Sequence, residues 1–288
     1  MAAAGALGRV GRAMAERLGR RVAGALGASV PGARIANGST IRRMKGFRAA
    51  GLLAGLLAGA LPDTVLPQDA YASQRAQLLA EIAGMARATG TETSRPAFSP
   101  QVMAAIGKVP RHRLVPPEQV PYAYENRPLP IGHGQTISQP YIVALMTDLL
   151  DPKAGDVVLE IGTGSGYQAA VLAELVAKVY TIEIVEPVGK RAAGDLAALG
   201  YRNVVTRIGD GYNGWPEAAP FDGILVTAAA PYVPKPLVEQ LKPGGRLVIP
   251  VGGQWQVQDL QVIEKKADGS TVTRRTIPVR FVPLTRSK

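Results

Sequence analysis

The chain is expected to fold as an α/β protein, a doubly wound Rossmann-like sheet with helices on both faces. Three observations carry that expectation. Val157-Val-Leu reads as a buried strand, and the glycines Gly162, Gly164 and Gly166 follow it. Tyr167–Val176 then continues with apolar residues at helical spacing. Strand, glycine turn and helix make the opening unit of a nucleotide-binding domain, where bare backbone must approach a ligand or adopt positive φ. Short apolar runs follow at Val179–Ile182, Asn203–Ile208, Gly223–Thr227 and Arg246–Val251. Gln258–Lys265 and Thr271–Val282 flank Asp268-Gly269 as a closing antiparallel hairpin.

The glycine spacing narrows the ligand. A dinucleotide fingerprint runs G-x-G-x-x-G, whereas here it runs G-x-G-x-G with Tyr167 in the third dinucleotide glycine position. Glu160 directly precedes the turn, which is unhelpful beside a pyrophosphate and favourable beside a cation. Glu183 ends the next apolar run, where a carboxylate can accept from both ribose hydroxyls. The two acids favour S-adenosylmethionine, which carries a sulfonium and an amino group and no phosphate, over a nicotinamide dinucleotide.

Composition excludes several classes. There is no cysteine, hence no disulfide framework and no thiolate nucleophile. The only histidines are His112 and His133 and there is no H-E-x-x-H pattern, so no metal is expected. The net charge of +11 sits unevenly. Residues 1–72 carry ten Arg and Lys against Glu16, Asp63 and Asp69, a net +7, and the other 216 residues hold 23 basic against 19 acidic side chains, a net +4. That balance gives no strong footprint for nucleic acid.

Residues 1–72 read as a basic leader outside the fold. Residues 1–43 resemble a presequence or upstream read-through. Met44–Arg48 and the uncharged Ala49–Leu61 form a signal-like segment (44–72), with Ala70-Tyr-Ala72 as a small-x-small site before Ser73. Thirteen uncharged residues are too few for a helical bilayer span, which needs ~20. Export is the alternative to a cytoplasmic location, which the intracellular supply of S-adenosylmethionine favours.

Residues 73–288 are expected to form the catalytic domain: helices and a loop over 73–128, the cofactor-binding core over 129–253, and the closing hairpin over 254–288. Ser73–Arg87 is an amphipathic helix with Leu78, Leu79, Ile82 and Met85 on one side. A turn-rich stretch, Thr89–Pro96, precedes a helix near Ser99–Gly107 with Ser99 as N-cap and Pro100 at its first position. Prolines keep 108–130 extended or looped, with Arg111 and Arg113 on a solvated face and Tyr122 and Tyr124 as packing residues. Gly132 and Gly134 bracket His133. Thr136-Ile-Ser-Gln-Pro140 leads into a helix, Tyr141–Leu150, with Ser138 at an anion-receptive corner; capping that helix is the other reading of Ser138. No acid is placed to orient His133 and no G-x-S-x-G is present, which argues against a Ser-His hydrolase. Gly209-Asp-Gly211 is a turn whose Asp210 could accept from an adenine amino group. Pro236–Leu241 is a helix with Lys242-Pro-Gly-Gly245 as its stop, and Trp215 and Trp255 are packing residues.

Pro130–Pro140 with its T-I-S-Q-P loop, Val158–Gln168, Gly209–Gly211, Phe221–Ala229, Leu241–Gly252 and Arg280–Thr285 occur in order. Together they closely resemble the protein-L-isoaspartate O-methyltransferase family from about residue 73 to the end. The resemblance implies methyl transfer from S-adenosylmethionine to the free carboxylate of L-isoaspartyl residues in damaged proteins and peptides, which initiates repair through a succinimide. A monomer is expected, with no nucleic-acid partner on the charge balance and no stable membrane span on the length of the apolar run. The resemblance also implies a cofactor site of Glu160, Gly162, Thr163, Gly164, Gly166, Glu183, Asp210 and Gly211. The acceptor site would comprise Thr136, Ile137, Ser138, Gln139 and Thr285, with Ser138 the catalytic choice. Methyl transfer to another acceptor, a nucleotide-binding oxidoreductase and a non-catalytic α/β module are the alternatives.

Overall fold

A computed structural model of the chain describes residues 69–253 and 256–286. The leader through residue 68 and Trp255 lie outside them. Seven strands form one sheet. They are β3 (Val157–Ile161), β4 (Lys178–Glu183), β5 (Val204–Ile208), β6 (Phe221–Val226), β7 (Leu241–Val251), β8 (Gln258–Lys265) and β9 (Thr271–Val279), in the order β5-β4-β3-β6-β7-β8-β9. The first five are parallel, while β8 and β9 join antiparallel as the expected closing hairpin. The chain winds outward from β3 through β4 to β5, then returns to place β6 on the other side of β3. The crevice at the carboxyl ends of β3 and β6 is therefore the switch point where α/β sheets bind ligands. Asp222 ties the opposite end, accepting from Val157 N at 2.8 Å and Lys242 Nζ at 2.7 Å.

Helix α1 (Ala72–Ala88) buries Leu78, Ile82 and Ala86. Tyr71, just before it, stacks on His112 with ring centroids 4.1 Å apart. The expected turn after it holds a further helical turn, α2 (Gly90–Thr93). The Thr89 and Thr93 hydroxyls donate to carbonyls four residues back and keep the chain wound until Ser94 enters the left-handed region. Helix α3 (Pro100–Lys108) starts as expected, with Ser99 Oγ accepting from Val102 N at 3.4 Å. Helix α4 (Pro140–Leu150) buries nearly every residue. Helices α5 (Tyr167–Ala173), α6 (Glu186–Ala198) and α7 (Lys235–Glu239) complete the layers.

Two expectations are overturned. Arg111 is not solvated but fully buried. Its Nε donates to Ala123 O at 2.9 Å, its Nη2 to Arg127 O at 3.3 Å, and its guanidinium lies 4.7 Å from the Tyr167 ring centroid. Carbonyls and an aromatic face replace water around a delocalised cation. Burial lowers its pKa to about 10, so it stays charged at neutral pH. The second correction concerns Lys242–Gly245, which follows helix α7 but lies within β7. The pairing jumps from Phe221↔Leu241 to Gly223↔Arg246, so these four residues bulge from the ladder. Tyr124 and Trp215 pack as expected, Trp215 edge-on to Tyr180 at 5.0 Å, whereas Tyr122 is 44% exposed. No described helix is long and apolar enough to cross a membrane.

Candidate active site

The cleft at the switch point begins with the turn after β3. Gly162, Gly164 and Gly166 adopt φ of 94°, 53° and 83°. Gly162 is the strictest: a Cβ there would meet Thr227 Oγ1 at 2.4 Å. The Thr227 hydroxyl instead lies 3.0 Å from Ile161 O and 2.5 Å from Gly162 O, fixing the loop against the end of β6.

Glu160 and Thr181 are register partners on β3 and β4. Thr181 Oγ1 donates to Glu160 Oε2 at 2.6 Å and lies 2.7 Å from Thr163 Oγ1. Glu160 is fully buried and its Oε1 has no partner among the described residues. Burial pushes its pKa up to about 8, against the pull of the Thr181 hydrogen bond and with a further push from Glu183. Glu183 is two residues beyond Thr181 and shares its face. Its Oε2 accepts from Gly164 N at 2.8 Å and its Oε1 from Val185 N at 2.9 Å. Each oxygen retains a second acceptor direction.

A second wall comes from the loop before α4. Leu129–Gly132 (β1) and Gln135–Ile137 (β2) pair as a hairpin, with His133 (φ 52°) and Gly134 (φ 72°) as a tight turn at its exposed tip. From β2 the chain passes through Thr136, Ile137 and Ser138 along the cleft. Ser138 does not cap α4: Gln139 occupies that position without a side-chain cap bond, and no hydrogen bond is made by the Ser138 hydroxyl among the described residues. Tyr141 N, the first available amide of the helix, donates to Asn126 Oδ1 at 3.0 Å. The anion-receptive corner therefore holds fewer free donors than expected. The terminal segment closes a third side, with Ala229 N donating to Val282 O at 2.8 Å and Leu284 N to Ala229 O at 2.7 Å.

The cleft encloses about 710 Å³ including its open mouth. It brings together Thr136, Ile137, Ser138, Glu160, Gly162, Thr163, Gly164, Glu183, Gly211 and Thr285. Gly166, Gln139 and Asp210 do not line it. Gly166 packs on Leu196, and Gln139 Nε2 donates to Asn126 O at 3.0 Å. Asp210 Oδ1 accepts from Tyr212 N at 2.9 Å and its Oδ2 lies 3.6 Å from Arg286 Nε. Sequence reasoning missed Thr181, Thr227 and Asn126, and assigned Tyr167 no place in the lining. The alternation along β4 would have flagged Thr181; nothing local marks Asn126.

Two carboxyl groups line the cleft, and among the described residues no Lys, Arg or His does. That set suits a nucleoside bearing positive charge and opposes a pyrophosphate, and Glu160 behind the turn retains a buried oxygen with no partner among the described residues. With the switch-point glycine loop, this defines an S-adenosylmethionine-dependent methyltransferase. The chain belongs to the protein-L-isoaspartate(D-aspartate) O-methyltransferase family, whose model matches residues 91–288. It is 60% identical over 234 residues to protein-L-isoaspartate O-methyltransferase 1 of Cupriavidus necator, covering 81% of this chain and 90% of that one. It is 62% identical over 208 residues to protein-L-isoaspartate O-methyltransferase 2 of Polaromonas sp. JS666, covering 72% and 99%. Among solved structures it matches a protein-L-isoaspartate O-methyltransferase at 29% identity and TM-score 0.64, covering 73% of this chain and 65% of that one.

Proposed function

We propose that the chain methylates the free carboxylate of L-isoaspartyl residues in damaged proteins and peptides, with Ser138 holding the acceptor. S-adenosylmethionine supplies a methyl group on a sulfonium, an activated leaving group. Glu160, Glu183 and the Gly162–Gly164 backbone hold the cofactor's charge and ribose, with Gly166 and Asp210 supporting that wall from behind. No strong base is required, because a carboxylate of pKa near 4 is ionised at neutral pH. The acceptor oxygen bonds the methyl carbon as the carbon–sulfur bond breaks, and that electron pair stays on sulfur. The chain's task is in-line approach with water excluded. The resulting ester closes to a succinimide without a second site.

The observation that carries this reading is the unpartnered Ser138 hydroxyl in the cleft wall, in a lining that also contains Glu160. A neutral donor orients a carboxylate without the ground-state stabilisation of a charge clamp. Thr136, Ile137 and Thr285 would flank the acceptor, and Gln139 anchors their loop. We place the activity on residues 73–288, acting as a cytoplasmic monomer without nucleic-acid partners. Cofactor supply and a charge of +4 over that segment support this.

The test is transfer of label from S-adenosyl[methyl]methionine by the full chain to an isoaspartyl peptide. The expected product is an ester that releases labelled methanol in mild base. Cofactor binding without transfer would assign a different acceptor.

A further inference from the structure

We propose that Asn126 is a positioning residue for the acceptor: it caps α4 from outside the loop and clamps Gln139, holding the loop so that the Ser138 hydroxyl stands ready for the substrate carboxylate. The proposal rests on the reading of Ser138 above. A helix start needs acceptors for its first amides. Here Gln139 makes no side-chain cap and Pro140 has no N–H, so Tyr141 N is the first amide to satisfy. The N-cap residue ordinarily supplies that acceptor, and here that residue is Gln139, one position after Ser138. In this chain Asn126 Oδ1 supplies it at 3.0 Å, from fifteen residues away.

The same residue clamps the loop a second time. Asn126 O accepts from Gln139 Nε2 at 3.0 Å, so one residue holds both sides of Pro140. Its amide nitrogen lies 3.1 Å from Met85 Sδ on α1. The strap carrying Asn126 is itself fixed, because Ala123 O and Arg127 O both accept from buried Arg111. Arg111 in turn lies against Tyr167, which lines the cleft. One continuous set of contacts therefore sets the acceptor loop relative to the cofactor wall. Asn126 does not line the cleft, so its removal leaves cofactor contacts in place.

Five full-length enzymes test this: wild type, Asn126→Ala, Ser138→Ala, the double variant, and Asn126→Asp as the conservative replacement that keeps the acceptor oxygen. Activity is measured per folded molecule with an isoaspartyl peptide, alongside S-adenosylmethionine affinity. Losing the clamp is expected to cost N126A about tenfold in kcat/KM, less than the roughly 100-fold of a 1 Å misplacement, with cofactor affinity unchanged. N126D recovers most of that loss. The double variant is no worse than S138A, because the two residues act as a unit. If S138A is impaired while N126A matches wild type, or if the losses simply multiply, the positioning role is overturned. If S138A itself is fully active, the reading of Ser138 falls, and the proposal with it.

Discussion

Thr181 donates its hydroxyl to one oxygen of Glu160 at 2.6 Å, while the other oxygen is buried without a partner among the described residues, in a residue that borders the cleft. This half-satisfied carboxyl in a fully buried position costs free energy whenever it ionises in the empty cleft. Positive charge arriving beside it removes that cost. On the proposed reading of Glu160 as an acceptor for the cofactor's charge, it is a destabilising element in the absence of that charge.

The pH dependence follows from the sign of the shift. The Glu160 pKa rises from its ordinary 4.5 to about 8 in the fold. The folded state then binds the extra proton, so its contribution to stability is fully present below 4.5 and is lost as pH rises toward about 8. Thermal melts of ligand-free wild type should fall across that window more than those of Glu160→Gln. Parallel pH profiles would remove Glu160 as the titrating group.

Cofactor binding should release a proton on the same account. Calorimetry of S-adenosylmethionine binding below pH 8, in buffers of differing ionisation enthalpy, should report that release. S-adenosylhomocysteine, which lacks the sulfonium, should release less, and E160Q should abolish the difference. Equal proton release for both ligands would contradict it.

Ser138→Ala should separate catalysis from stability. An N-cap loss costs about 1 kcal/mol, but Ser138 caps nothing, so denaturant melts of S138A should lie within about 0.5 kcal/mol of wild type. Its kcat/KM should fall at least about tenfold, as expected for an interaction made in the transition state. A destabilised variant with intact activity would return Ser138 to a capping role.

Gly162→Ala should damage both fold and cofactor binding. The new Cβ meets Thr227 Oγ1 at 2.4 Å, and φ of 94° is strained for any side chain. Strain of this kind costs about 1–3 kcal/mol. Adding Thr227→Ala should relieve the contact but not the backbone term. Full recovery in the double variant, read from melts and cofactor titration, would show that contact alone mattered.

Arg111→Met should cost about 2–4 kcal/mol, because two carbonyls lose a charged donor in a buried site. Arg111→Lys should recover only part, since one ammonium lacks the planar fork that reaches both. Chemical denaturation measures each, and an unaffected R111M would place those carbonyls in contact with water.

The strand-turn-helix unit around Gly162 was legible because its signals are local: apolar strand, alternate glycines, helical periodicity. The same holds for Ser99 as a cap and for the hairpin at Asp268-Gly269. Arg111 was misread because nothing adjacent to it in sequence announces the carbonyls of Ala123 and Arg127 or the Tyr167 ring. The pattern places Ser138 beside the cleft, yet the acceptor of the Tyr141 amide at the start of α4, Asn126, lies in another loop. Lys242–Gly245 carries turn chemistry that the sheet accommodates as a bulge. Long-range contacts decided each of these cases, and none leaves a local periodic trace.

The central claim is selectivity for the isoaspartyl carboxylate. It is tested most directly by competition between twin peptides, one with L-isoaspartate and one with L-aspartate at the same position, methylated by the full chain with labelled S-adenosylmethionine. Base-labile label confined to the isoaspartyl twin is the predicted result. Equal labelling of both peptides, or none while the cofactor binds, would contradict it.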